Sequence, residues 1–293
     1  MTPSFTELRE AKRAKGQFLC VGLDPQPEKH PTVSVLSYLI KVVEATIDVA
    51  GCYKPNLAFF EGLGHNGLWQ LAALIDHIKH LDPAMPVIAD GKRGDIGDTN
   101  EFYAEAVFSV LGADALTVNP YLGLGKAAEV FLAHEGKMAI VLCRTTNEGA
   151  REFQDVLVDV SADRIGYRNW APLYQLVARN VSRDWSQKGS VGLVAAATYP
   201  DDIAAIREIA PTIFLLIPGL GKQLGDLENS VRYALGPDGS SDFVINVSTA
   251  VVYAFEKGSF QCDLAEFANA SEAAAEDYDR QIRDVVDNLG RVA

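Results

Sequence analysis

The sequence has few cysteines, few basic residues and no long apolar run. Its four cysteines, Cys20, Cys52, Cys143 and Cys262, form no Cys-x-x-Cys pair, so we expect small buried thiols in a reducing compartment. No uninterrupted apolar stretch reaches the ~18 residues that span a membrane. The N-terminus instead predicts an amphipathic helix capped by Thr2, with Pro3 at its first position, rather than a signal peptide. We therefore expect a cytoplasmic protein with no membrane contact.

Acidic residues outnumber basic ones by 39 to 26, which gives a net charge of −13. An acidic surface repels phosphate backbones, so a nucleic acid is not an expected partner. An anionic small molecule remains possible if positive charge is gathered locally. No His-Glu-x-x-His occurs. His77 and His80 lie three apart among charged neighbours, which is typical of a solvated helix face, and no metal site is predicted.

Eight short runs of aliphatic and β-branched residues alternate with segments of helical period. Most runs are continuously apolar, as in parallel strands covered on both faces. Eight βα units predict a (β/α)8 barrel, in the α/β class, as a single domain over residues 1–293. An open doubly wound sheet is disfavoured because no Gly-x-Gly-x-x-Gly follows the first run. The runs are 17–23, 51–57, 85–91, 113–119, 137–144, 190–197, 212–219 and 242–248.

The interval between the fifth and sixth runs is too long for one connection and its helix. We expect an insertion after the fifth strand, with an extended loop over 145–165 and a helix over 170–183.

Polar residues collect at the carboxyl ends of these runs, where barrels of this kind carry their chemistry. Lys54 and Asp90 lie where apolar residues would fill a barrel, so each requires a partner. The simplest arrangement is an ionised array of Lys54, Asp90, Lys92 and Asp95. A purely structural ion-pair network is the alternative.

Several of these motifs resemble orotidine 5′-phosphate decarboxylases, especially a second bacterial subgroup. Asp-x-Lys-x-x-Asp-Ile-x-x-Thr follows the third strand, after a Leu-Asp-Pro turn and a Tyr-Lys-Pro-Asn strand. Sister sugar-phosphate decarboxylases and lyases share the shorter Asp-x-Lys-x-x-Asp motif. The longer matching segments are DGKRGDIGDT (90–99), ALTVNPYLG (115–123), TTNEGAREFQD (145–155), ATYPDDIAAIREIAP (197–211) and LLIPGLGKQLGDLE (215–228).

The resemblance implies decarboxylation of orotidine 5′-phosphate to UMP, without metal, pyridoxal or thiamine cofactors. Lys92 would protonate C6 of the pyrimidine, and Lys54 would pair with Asp90 and reach the ribose. Asp90 would lie against the departing carboxylate, acting either by repulsion or by holding Lys92. Asp95 would complete the site of a partner subunit, which implies a homodimer.

The resemblance also implies a set of substrate-binding residues. Asp24 and Thr99 would contact the ribose, Thr146 the pyrimidine edge, and Asn119 either supports the site or forms a turn before Pro120. The phosphate would bind at the loops after the last two strands. The residues implied there are Pro218, Gly219, Gln223, Ser248 and Thr249.

Thr249 departs from the family pattern, which places an arginine there to grip the phosphate. A lost bidentate Arg–phosphate contact typically costs a few kcal/mol. We therefore expect retained chemistry with weakened phosphate binding, unless Lys222 or Arg144 compensates. Two alternatives stay open: a sister Mg²⁺-dependent phosphosugar lyase, and a barrel that binds nucleotides without turnover.

Overall fold

The computed structural model describes residues 3–160, 169–220, 226–236, 239 and 242–290. Eight parallel strands coincide with the predicted runs, and a short antiparallel pair lies in the insertion. The strands of the barrel are β1 Leu19–Leu23, β2 Ala50–Pro55, β3 Ile88–Arg93, β4 Ala115–Val118, β5 Met138–Arg144, β8 Ser190–Ala195, β9 Phe214–Ile217 and β10 Phe243–Val247; the antiparallel pair is β6 Leu157–Asp159 and β7 Trp170–Pro172.

These eight strands form a barrel, which confirms the predicted fold class. Hydrogen bonds connect them in the order β2-β1-β10-β9-β8-β5-β4-β3. Two isolated parallel bridges, Tyr53 to Val87 and Asn56 to Asp90, then join β2 to the chain around β3. The ring therefore closes, and the carboxyl ends of all eight strands meet at one mouth.

Helices surround the barrel and connect its consecutive strands, except for the first helix, which precedes β1, and the last two, which follow β10. They are α1 Phe5–Arg13, α2 Val35–Thr46, α3 Leu57–Glu61, α4 His65–Leu81, α5 Gly97–Ala104, α6 Glu129–Leu132, α7 Ala150–Gln154, α8 Leu173–Arg183, α9 Pro200–Ile209, α10 Leu227–Leu235, α11 Thr249–Val252 and α12 Phe267–Gly290, with π-helical turns at Glu105–Val110 and Leu124–Ala128. No helix in these described ranges is long and apolar enough to cross a membrane.

The core has two layers because alternate strand residues point to opposite faces. One layer packs between the strands and the helices. The other fills the barrel and contains Cys20 and Cys52, which are free and buried as predicted. Phe5 of α1 enters this inner layer and packs edge-on against Phe214, with ring centroids 5.2 Å apart. Helix α1 therefore plugs the end of the barrel opposite the mouth.

Ser4 caps helix α1, so the prediction of Thr2 as cap with Pro3 at the first helical position is wrong. The Ser4 side chain accepts a hydrogen bond from the Glu7 N–H, and the Glu7 carboxylate accepts one from the Ser4 N–H at 2.7 Å. This reciprocal capping box satisfies two terminal donors, which a cap at Thr2 would not achieve. Thr2 itself lies outside the described residues.

The insertion after β5 is more ordered than the extended loop predicted over 145–165. It contains α7 and an antiparallel pair of strands, β6 and β7, in which Leu157 lies opposite Pro172 and Asp159 opposite Trp170. Helix α8 begins at Leu173 rather than at residue 170, because Trp170–Pro172 pairs with β6 and Pro172 is the N-cap residue. Residues 161–165 of the predicted loop lie outside the described ranges.

Candidate active site

A cavity of about 990 Å³ opens at the carboxyl ends of the strands. Its size suits a nucleotide-sized ligand. Ten of the thirteen residues predicted for the site line it: Asp24, Lys54, Asp90, Lys92, Asn119, Thr146, Pro218, Gly219, Ser248 and Thr249.

Asp90 is the centre of the charged group in this cavity. Its Oδ2 accepts a hydrogen bond from Lys54 Nζ at 2.8 Å, and its Oδ1 accepts one from Lys92 Nζ at 2.6 Å. The Lys54 and Asp90 side chains are 5% and 11% exposed, whereas that of Lys92 is 50% exposed. The buried Lys54–Asp90 pair thus holds the Lys92 ammonium group where it can meet a ligand.

The proximity of these charges favours the ionised forms of Asp90 and Lys54. Burial by itself would raise the pKa of Asp90, but attraction to Lys54 and Lys92 outweighs it and holds that pKa far below its usual range. Burial would likewise lower the pKa of Lys54, but the charges of Asp90 and Asp24 outweigh it and raise that pKa. The cavity floor is therefore a fixed array of charges at neutral pH.

Thr117 on β4 completes this array and is a residue that the sequence analysis missed. Its hydroxyl donates to Asp90 Oδ1 and accepts from the Lys92 backbone N–H, both at 2.9 Å. Among the described residues, Lys92 is the only non-glycine with a positive φ, at 47°. Such strain is typical of functional sites and needs support from neighbouring groups. The sequence signal that could have identified Thr117 was its hydroxyl among the apolar residues of β4.

Asp95 and Thr99 do not line the cavity of their own chain. Asp95 Oδ1 accepts a hydrogen bond from the Ile96 N–H at 2.7 Å. The buried Asn100 side chain donates to the Asp95 carbonyl and accepts from its N–H, at 2.6 and 3.0 Å. One chain thus brings together three members of the predicted array, Lys54, Asp90 and Lys92, and holds the fourth outside it.

Asp24 and Asn119 line the cavity from the loops that follow β1 and β4. Asp24 Oδ1 is buried and has no hydrogen-bond partner among the described residues, so it is available to a ligand. Asn119 Oδ1 accepts from the Tyr121 N–H at 2.9 Å, which is the turn role considered for it. Asn119 therefore combines a turn with a position in the cavity wall.

Neutral groups form the described part of the predicted phosphate subsite. Gly219 has a φ of 109°, which only glycine adopts without strain. Another glycine, Gly22, is required for steric reasons, because a Cβ there would lie 1.8 Å from the Ser248 hydroxyl. Ser248 and Thr249 complete this side at the start of α11. Gly221, Lys222 and Gln223 lie outside the described residues.

The structure does not support Arg144 as a substitute for the missing phosphate-binding arginine. Its guanidinium is buried in ion pairs with Asp155 and Asp202, at 2.6 and 2.7 Å, and does not line the cavity. A charge already paired on two sides in the interior is costly to move toward a ligand. The position of Arg144 in the sequence did not by itself reveal these two acidic partners.

The pyrimidine side of the predicted site contains a further unpredicted residue, Gln154. Its Oε1 accepts from the Thr145 N–H at 3.0 Å, and its Nε2 donates to the Thr145 hydroxyl at 2.7 Å. Both Thr146 and Gln154 line the cavity. The described ranges contain no group of three or more His, Cys, Asp or Glu side chains suited to a metal ion.

Comparisons with known proteins agree with this architecture. The family model described as "Orotidine 5'-phosphate decarboxylase / HUMPS family" matches residues 17–257. The chain is 38% identical over 287 residues to orotidine 5′-phosphate decarboxylase of Variovorax paradoxus (strain S110), covering 96% of this chain and 97% of that protein.

Solved structures show the same likeness. The chain resembles Leishmania donovani OMP decarboxylase with a TM-score of 0.78 and 33% identity, over 97% of this chain and 98% of that one. It resembles Leishmania donovani UMP synthase with a TM-score of 0.81 and 34% identity, over 97% of this chain and 57% of that longer one. With these matches and the charged cavity at its mouth, the chain belongs to the orotidine 5′-phosphate decarboxylase / HUMPS family.

Proposed function

We propose that this chain decarboxylates orotidine 5′-phosphate to UMP and CO2, using its own side chains and no cofactor. The observation that carries the proposal is the Lys54–Asp90–Lys92 group at the barrel mouth, with the Lys92 side chain half-exposed and its Nζ 2.6 Å from Asp90. The relatives that this chain matches over nearly their full lengths are named as decarboxylases of the same substrate, which supports the same reaction.

The geometry suggests how the reaction would proceed. The bond from C6 to the carboxylate breaks, CO2 leaves, and the electron pair stays on C6. The Lys92 ammonium stabilises this developing negative charge and then transfers a proton from Nζ to C6, which gives UMP. Preorganised charge of this kind lowers a barrier because the protein need not reorganise as the reaction occurs. Asp90, itself paired with Lys54, would hold the ammonium in place.

The test of this function is the loss of orotidine monophosphate absorbance with purified protein, in the presence of EDTA and over a wide substrate range. We expect saturable turnover that EDTA leaves unchanged, with a raised KM because Thr249 stands in place of the arginine. Activity restored only by added Mg²⁺ would indicate a sister lyase instead. Binding of UMP without any turnover would indicate a nucleotide-binding barrel.

We also propose that two copies of the chain form a homodimer in which Asp95 and Thr99 complete the partner's site. Three large apolar side chains near this loop are exposed: Ile96 by 63%, Phe102 by 78% and Tyr121 by 89%. The Asn100 side chain connects α5 to the π-helical turn that follows Tyr121, because it also donates to the Ala127 carbonyl at 2.9 Å. Exposed apolar groups of this size are typical of a protein interface.

Mixing two inactive variants tests the shared site. Lys92→Ala and Asp95→Asn are each expected to lose activity, while a reassociated mixture should regain roughly a quarter of it, since half the dimers are mixed and each has one intact site. No recovery from mixed dimers would show that Asp95 acts within its own chain. Sedimentation of the unmodified chain provides the dimer control.

A further inference from the structure

Two neighbouring residues at the end of β5 hold two neighbouring residues of the insertion. Arg144 pairs with Asp155 at 2.6 Å, and Thr145 exchanges two hydrogen bonds with Gln154. We call these four residues the insertion clasp. The clasp joins the end of β5 to the part of the insertion around α7, which lines the predicted pyrimidine side of the cavity.

On the Arg144 side of the clasp, the guanidinium is buried and paired with two carboxylates. The side chain is 4% exposed, and its Nε also donates to Asp202 Oδ2 at 2.7 Å. The guanidinium lies over the Tyr199 ring, 4.1 Å from its centroid. A planar guanidinium can bridge two carboxylates and stack on a ring at once, whereas a lysine ammonium cannot. The insertion is thus fixed to both β5 and the start of α9.

Thr145 and Thr146 both line the cavity, and the clasp holds the first of these two hydroxyls in place. Thr145 Oγ1 accepts from Gln154 Nε2 and donates to Asn147 Oδ1 at 2.6 Å, so its proton is already used. The next residue, Thr146, lines the cavity together with Phe153 and Gln154. A shift of the insertion would therefore move the wall that meets the base.

We propose that the insertion clasp positions the pyrimidine end of the substrate, with Arg144 and Gln154 as positioning residues. The inference rests on the proposed decarboxylase function. A device of this kind affects only the part of the ligand that it touches. Its loss should weaken binding of the base and leave binding of the sugar phosphate unchanged, which a purely structural role would not do.

The experiment compares UMP with ribose 5-phosphate, which lacks the base, as ligands of the full-length chain. Arg144→Lys and Asp155→Asn should each raise the Kd of UMP and the KM of orotidine monophosphate by roughly 10-fold, because small misplacements at a site are costly. The inhibition constant of ribose 5-phosphate should not change. Amide exchange within residues 150–159 should accelerate in both variants.

Arg151→Ala is the matched control, since Arg151 is 69% exposed and lies 3.8 Å from the same Asp155. It should leave all of these quantities unchanged. Equal weakening of UMP and ribose 5-phosphate, or no change in either, would overturn the clasp proposal. Absence of turnover by the unmodified chain would instead defeat the proposed function, and amide exchange at 150–159 would then decide the clasp alone.

Discussion

At the scale of single residues, Asp90 shows why a buried charge can be retained in a barrel. An isolated carboxylate in the interior would cost several kcal/mol, and a buried ion pair repays this only when its remaining hydrogen bonds are satisfied. Asp90 receives hydrogen bonds from Lys54, Lys92 and Thr117. The group is therefore stable as an ionised unit and leaves Lys92 Nζ directed into the cavity.

Thr117→Val tests the support that one hydroxyl gives to this unit. The variant conserves shape but leaves the Lys92 N–H without its acceptor and Asp90 without one donor. We expect a loss of about 1–3 kcal/mol in the free energy of unfolding, measured by urea denaturation, and a reduced kcat. Thr117→Ser keeps the hydroxyl and should restore both; equal effects from Ser and Val would show that packing is responsible.

Thr249→Arg tests the departure from the family pattern. Thr249 lines the cavity at the start of α11, where the described groups are neutral. An arginine there can make a charge-assisted bidentate contact with phosphate, so the KM for orotidine monophosphate should fall by roughly 10-fold. Steady-state kinetics measure this, with the uncharged Thr249→Gln as control. An unchanged KM would mean that other groups already neutralise the phosphate.

At the scale of secondary-structure elements, the two ends of the barrel have separate tasks. Helix α1 fills the end opposite the mouth with Phe5, and Arg9 there donates to the Gly51 carbonyl at 2.7 Å and pairs with Asp242 at 3.1 Å. The strand ends and loops at the other end form the charged cavity. Stability and chemistry can therefore be altered independently.

Phe5→Ala makes this separation measurable. Phe5 is 1% exposed within the inner core, so its truncation should lower the free energy of unfolding by about 3–5 kcal/mol. Thermal unfolding would record the loss, while kcat at a temperature where the variant is folded should stay unchanged. Phe5→Leu should have a smaller effect on stability. A fall in kcat in the folded variant would contradict the proposed independence of the two ends.

At the scale of the whole molecule, acidic residues dominate, and the two lysines of the site are balanced by Asp24 and Asp90. The net charge is −13, yet the cavity floor presents Lys54 and Lys92. One acidic residue is buried at an energetic cost. Asp279 on α12 is 4% exposed, and its Oδ1 has no hydrogen-bond partner among the described residues, although Arg283 pairs with its other oxygen.

Asp279→Asn should therefore stabilise the protein at neutral pH. Burial raises the pKa of Asp279, and attraction to Arg283 only partly opposes this. The folded state thus binds this proton more tightly than the unfolded state, and stability falls as pH rises from the unfolded pKa, about 3.9, through the folded one. The variant removes that loss.

Urea unfolding at several pH values measures the effect. The advantage of Asp279→Asn should be present at pH 7 and should disappear below about pH 4, where the carboxyl is protonated in both states. Asp277→Asn, on the same helix and paired with Arg280, is the control. An advantage that persists unchanged at low pH would have a cause other than titration.

Much of this protein could be predicted from its sequence because local pattern determines local structure. Continuously apolar runs fixed the eight strands, and their alternation with helical segments fixed the barrel. Polar residues at the strand ends then identified most of the cavity, because parallel strands bring those ends to one side. Lys54 and Asp90 were detectable since a charge within an apolar run requires a partner.

Only the tertiary structure decided which side chains meet, since contacts between distant segments leave no local pattern. It paired Arg144 with Asp155 and Asp202, added Thr117 and Gln154 to the site, and kept Asp95 out of its own chain's cavity. It also ordered part of the insertion as α7, β6 and β7, because antiparallel pairing across several residues depends on the return path of the chain. The sequence determined the elements and the charges; the closed barrel determined their neighbours.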